Sequence, residues 1–236
     1  MKNCSTHGAS PRSQWVLGVS DCGRRGFKFI QCLSSGMSKA EAPRLAYDDG
    51  VRAVELGRES VDAFVSRGQR EEPGSMRDAF YARTGALVRL QSTRGRRPLR
   101  GCAGAYMCDD QLGHAIVDAA IGAASGDSCG SEIEPKELGD ITVSVCVVTD
   151  TLQTPNPLDN LQLGSHGVAV EAGGQHAWLH PRFATENGWS GAELLSRTCR
   201  KAGLPPTAWQ DSDTIVTLFE GQIFREREPI GPVKEL

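Results

Sequence analysis

Between residues 45 and 67 apolar positions recur with a helical period. Val51, Val54, Val61, Phe64 and Val65 fall mostly on one face, with charges elsewhere. Gly50 and Gly57 interrupt the run and weaken its helix propensity. A Gly/Glu/Pro loop follows over 68–76. Residues 85–90 and 99–106 read as two strands joined by a turn at Thr93-Arg94-Gly95-Arg96-Arg97. Residues 111–124, rich in Ala and Ile, predict a helix. The clearest strand spans 141–149, where Ile141, Val143, Val145 and Val147 alternate with Thr142, Ser144, Cys146 and Val148. The valine at 148 suggests that both faces of this strand are partly covered.

After a Pro/Asn/Asp loop over 151–163, residues 167–171 and 176–179 flank a Gly-Gly turn and predict a β-hairpin. Ser190 with Glu193 forms a capping-box start for a helix running to about 202, stopped by Gly203, Pro205 and Pro206. Residues 214–220 predict a last strand, and the charged tail from Arg225 is expected to fray. Strands and helices are intermixed and the hairpins favour antiparallel pairing. The expected class is therefore α+β, a mainly antiparallel sheet flanked by helices. Residues 1–36 are rich in Ser, Gly and basic residues without periodicity. They are expected to be a disordered extension before a domain over 37–228 and a tail over 229–236, with Met37 as a plausible start.

The chain has 236 residues and a net charge of −3. The first 36 residues carry five Lys/Arg and one acidic residue, so the remainder is distinctly acidic. That balance argues against general nucleic-acid affinity. No apolar run reaches the roughly 18 residues of a membrane span, and no signal peptide is evident. The eight cysteines contain no CxxC pair and match no zinc-site spacing, which predicts reduced thiols in a cytoplasmic protein. No motif calls for a cofactor.

Candidate chemistry concentrates in two places. Leu99-Arg100-Gly101-Cys102-Ala103-Gly104 puts a cation, a thiol and two glycines within six residues, and Gly164-Ser165-His166-Gly167 follows downstream. In a regular strand, residues 100 and 102 share a face. Cys102 then reads either as a nucleophile activated by Arg100 or as a small buried thiol. Arg100 reads either as an anion-binding cation or as a structural ion-pair partner of an acidic residue such as Glu137. Gly101 and Gly104 allow close approach of a ligand or of another backbone. His166 reads as a general base or as a turn histidine bonded to backbone. A metal site built from His166, His176 and His180 lacks a suitably spaced carboxylate. Arg89, Arg94, Arg96, Arg97 and Arg100 form the one basic cluster, suited to a phosphate backbone or merely to a solvated turn. Trp189 and Trp209 flank the capped helix as core anchors.

Several of these segments, in order, resemble the AMMECR domain family. Leu99, Arg100, Gly101, Cys102 and Gly104 match its LRGC-x-G hallmark, with Ala103 where the family favours Ile. The match continues in Glu137-Leu138 and the strand from Asp140, in Leu163 to Val168, in Glu186-Asn187-Gly188-Trp189, and in Lys201 to Leu204 with Trp209. It covers about 45–225. Two departures stand out. Gly126 to Gly130 replaces an Asp-Pro-Arg-Phe-like stretch, and Leu179-His180-Pro181-Arg182 stands where Leu-Pro-Gln is usual. The resemblance implies a two-lobed α+β domain without a secure catalytic activity. It also implies a pathway shared with a Memo-type protein and a radical S-adenosylmethionine protein, in modification of RNA or another macromolecule. Two readings of function follow. One is a binding or regulatory module. The other is a Cys-dependent enzyme using Cys102 with Arg100 and His166.

Overall fold

The computed structural model describes residues 44–74, 77–95, 98–126 and 131–236. The expected extension over 1–36, Arg96 and Arg97 of the basic turn, and residues 127–130 lie outside these. The described residues belong to one compact unit. In chain order the elements are α1 (Tyr47–Arg67), β1 (Ala86–Ser92), β2 (Leu99–Ala105), α2 (Leu112–Ala124), β3 (Ile141–Gln153), α3 (Pro157–Asn160), β4 (Gly167–Ala172), β5 (Gln175–Leu179), α4 (Arg182–Asn187), α5 (Gly191–Lys201), β6 (Ile215–Glu226) and β7 (Val233–Glu235). The strands form one sheet in the order β2-β1-β3-β6-β4-β5, with β7 on β6, and every pairing is antiparallel. The class is α+β, as the sequence predicts.

Helices α1 and α2 cover one face of the sheet. Val54 and Val61 are buried there, with Val51, Phe64 and Val65 packed alongside. Gly50 and Gly57, unfavourable for the isolated helix, mark where α1 meets the strands. A Cβ at Gly50 would stand 2.1 Å from the Phe224 ring, and one at Gly57 3.3 Å from Val145. The facing rows are Val88 beside Val145 and Leu90 beside Val143. The alternate positions of β3 are buried too, so both faces of that strand are covered.

The opposite face encloses a second apolar centre. Val168, Leu179, Leu194, Leu195, Cys199 and Leu218 belong to it, and so does Cys102 from the far end of the sheet. Residues from both ends of the strand order share one cluster because the sheet curls. A register shift between Val148 and Asp150 lies at the bend, opposite Gly221. A Cβ at Gly221 would stand 2.6 Å from Cys146 Sγ. Ser190 caps α5 by accepting a hydrogen bond from Glu193 N at 3.2 Å.

The tail is not frayed. Strand β6 continues six residues past the expected end at 220, and β7 pairs with it at Phe224 to Glu226. Glu226 is buried against Arg58 of α1, with bonds of 3.0 and 2.5 Å, and accepts a third from Val143 N at 2.8 Å. The Tyr47 hydroxyl donates to Val233 O at 2.7 Å. Residues that look like a charged overhang in sequence thus close the first core.

Candidate functional site

The LRGC strand is irregular where chemistry was expected. In the β1–β2 pair, Leu90 stands opposite Gly101 but Gln91 stands opposite Leu99, which leaves Arg100 as the extra residue of a bulge. Leu99 and Cys102 pack toward the second apolar centre. Arg100 is instead held by Glu137, through Nε to Oε1 at 2.9 Å and Nη2 to Oε2 at 3.0 Å, and its Nη1 lies 3.2 Å from Ser131 Oγ. Partial burial pushes the Glu137 carboxyl up, but the Glu134 N–H and Arg100 outweigh it and hold its pKa below the ordinary value. The ion pair anticipated from sequence is present. The regular strand that would put residues 100 and 102 on one face is interrupted by the bulge.

Cys102 is 1% exposed. The residue directly opposite it on β1 is Arg89. The glycines of the motif meet backbone. A Cβ at Gly101 would stand 1.9 Å from Ala123 O of α2. Gly104 has φ +125°, and a Cβ there would stand 2.1 Å from Ala86 O. Both positions let main chain approach main chain. His166 is also engaged at both ring nitrogens. Nδ1 accepts from Gln162 N at 2.9 Å, which fixes the proton on Nε2, and Nε2 donates to Glu220 Oε1 at 2.8 Å.

Beside the motif lies a half-open cleft of about 320 Å³, between the β1–β2 edge and α4. Its walls include Arg89, Gln91, Leu99, Phe183, Glu186 and Asn187. Arg89 donates to both carboxylate oxygens of Glu186, at 3.1 and 2.7 Å, and its guanidinium carbon lies 4.9 Å from the centre of the Phe183 ring. His180 packs edge-on to the same ring. Burial, with help from Arg89 and Arg182, lowers the His180 pKa well below its ordinary value. Its Nδ1 accepts from Arg182 N at 3.2 Å.

The basic cluster is neutralised where it is described. Arg89 pairs with Glu186, Arg94 with Asp140 and Arg100 with Glu137. Among the described residues no three of His, Cys, Asp and Glu gather as a metal-ligand set. No described helix is long and apolar enough to cross a membrane.

The family model for AMMECR1 matches residues 54–224, which takes in the LRGC strand and the cleft. The chain belongs to the AMMECR1 family. Protein VNG_2543C of Halobacterium salinarum is 58% identical over 85% of this chain and 99% of its own length. A protein of Methanothermobacter thermautotrophicus is 37% identical over 77% of this chain and 96% of its own. The crystal structure of the uncharacterized protein PH0010 from Pyrococcus horikoshii superposes with a TM-score of 0.77. It is 31% identical and covers 81% of this chain and 98% of that one.

Within this AMMECR1 domain, Arg89 and Glu186 line the cleft together, a pairing that no local sequence pattern shows, and His180 packs against the Phe183 ring of its wall. Arg89 reads as one member of a basic cluster, and its partner lies 97 residues away. His180 and Arg182 occupy the departure from Leu-Pro-Gln.

Proposed function

We propose that this AMMECR1 domain is a non-catalytic binding and regulatory module of the cytosol. Its cleft beside the LRGC strand is the binding face. It works with Memo-type and radical S-adenosylmethionine proteins in modification of RNA or another macromolecule. The observation that carries the module reading is the position of Cys102. A nucleophile needs an accessible thiolate with a base in reach. Cys102 is packed in an apolar cluster, Arg100 is turned away to Glu137, and His166 is committed to Glu220 and Gln162. The motif shapes one wall of the cleft, through Leu99. The partners rest on the family resemblance.

The test is capture from native extract with three forms of the chain: wild type, Cys102→Ala, and Asn187→Arg at an exposed position of the cleft wall. The reading expects Memo-type or radical S-adenosylmethionine proteins with the first two forms and a marked loss with the third. Capture unaffected by Asn187→Arg, or lost in a folded Cys102→Ala protein, would contradict it.

A further inference from the structure

The described residues contain four buried side-chain polar atoms without a hydrogen-bond partner, and three of them are Arg89 Nε, His180 Nε2 and Arg182 Nε. All three are donors. The two arginine nitrogens carry hydrogen permanently. His180 Nε2 carries it because Nδ1 accepts from the Arg182 main chain. An unmade bond at a buried donor is costly, and one of the three, Arg89 Nε, belongs to a residue that lines the cleft. The charges agree. Arg89 and Arg182 both act on His180, which burial keeps neutral, and Glu186 is the carboxylate bonded to Arg89.

The Arg89–Glu186 pair is also lopsided. The arginine side chain is 4% exposed and is held against Phe183, while that of Glu186 is 35% exposed at the mouth. The guanidinium is a planar fork held in the wall, and Glu186 is the more exposed partner of the pair. We propose that the cleft binds a small organic carboxylate, gripped by Arg89 in the place that Glu186 now takes. A carboxylate matches the planar fork in two parallel bonds. Leu99, Pro98 and Phe183 offer an apolar or aromatic body its contact surface, and the Gln91 side chain lies on the same wall. The volume is at the lower end of small-molecule sites. Inorganic phosphate fits less well, because its apolar surroundings would leave several oxygens without donors and Glu186 would repel its second charge.

This inference rests on the reading of the cleft as the binding face. Its test is titration calorimetry in chloride-free buffer with benzoate as probe, on wild type and on Glu186→Gln. Wild type should bind benzoate saturably. Glu186→Gln should bind it about fivefold more tightly, since a competing carboxylate of a partly exposed ion pair has been removed. No saturable binding to either form would overturn the proposal. So would equal affinity in both forms, or the same binding with inorganic phosphate or chloride in place of benzoate. The capture experiment is independent: a wild-type chain that captures its partners but ignores benzoate removes this inference and leaves the module reading standing.

Discussion

Cys102 stands directly across the β1–β2 pair from Arg89, while its near neighbour in sequence, Arg100, is the extra residue of a bulge. The bulge at Arg100 makes this difference. It converts a motif that suggests one catalytic pair into two separate arrangements. On one side Arg100 and Glu137 tie β2 to the 3-10 turn at Pro135–Asp140. On the other side Arg89 and Glu186 tie β1 to α4.

Arg100→Ala should lower stability by about 1 kcal/mol, as removal of a partly exposed but bidentate ion pair does. Its effect should depend on pH. The Glu137 carboxyl is held below its ordinary value of 4.5 in the fold. Its contribution is therefore complete above that value and is lost as pH falls through the lower, folded value. Urea unfolding of wild type and variant should differ at pH 7 and converge in acid.

Gly101→Ala and Gly104→Ala should each cost roughly 3 kcal/mol or more. The obstructing atoms are the Ala123 and Ala86 carbonyl oxygens, main-chain atoms that cannot swing aside. Thermal unfolding checks this. Near-neutral effects would mean that the glycines serve a ligand and not the packing of α2 and β1 against β2.

Glu226→Ala should destabilise by about 3–5 kcal/mol, because it leaves Arg58 charged in a buried position and removes the acceptor of Val143 N. Deleting residues 229–236 should also lower the melting temperature, since Val233 is buried and accepts the Tyr47 hydroxyl bond. Unchanged melting in both would restore the expectation of a frayed tail.

What the sequence could reveal was what is local. The alternation from Ile141, the Gly-Gly hairpin and the Ser190–Glu193 cap each depend on residues within a few positions of one another, and each is present. What it concealed is set by partners far along the chain. The bulge at Arg100 is a property of the register between two strands. The role of Glu226 depends on Arg58, 168 residues away. Arg89 acquires its meaning from α4, which no pattern near residue 89 announces. The LRGC motif was plain in sequence, yet Leu99 is its one residue in the cleft wall, and Arg89, with its unpaired Nε, lies outside it.

If Cys102 is a packing residue in a binding module, native-state alkylation resolved by peptide will find its thiol shielded. Iodoacetamide at pH 8 should label the partly exposed Cys108 while sparing Cys102. Cys146, buried and with its thiol pKa pushed up to about 12, should be spared as well. Labelling of Cys102 should follow unfolding as urea is added, since a side chain this buried reacts only when the structure opens. Rapid modification of Cys102 in the folded protein, faster than that of Cys108, would contradict the account and restore the cysteine as a nucleophile.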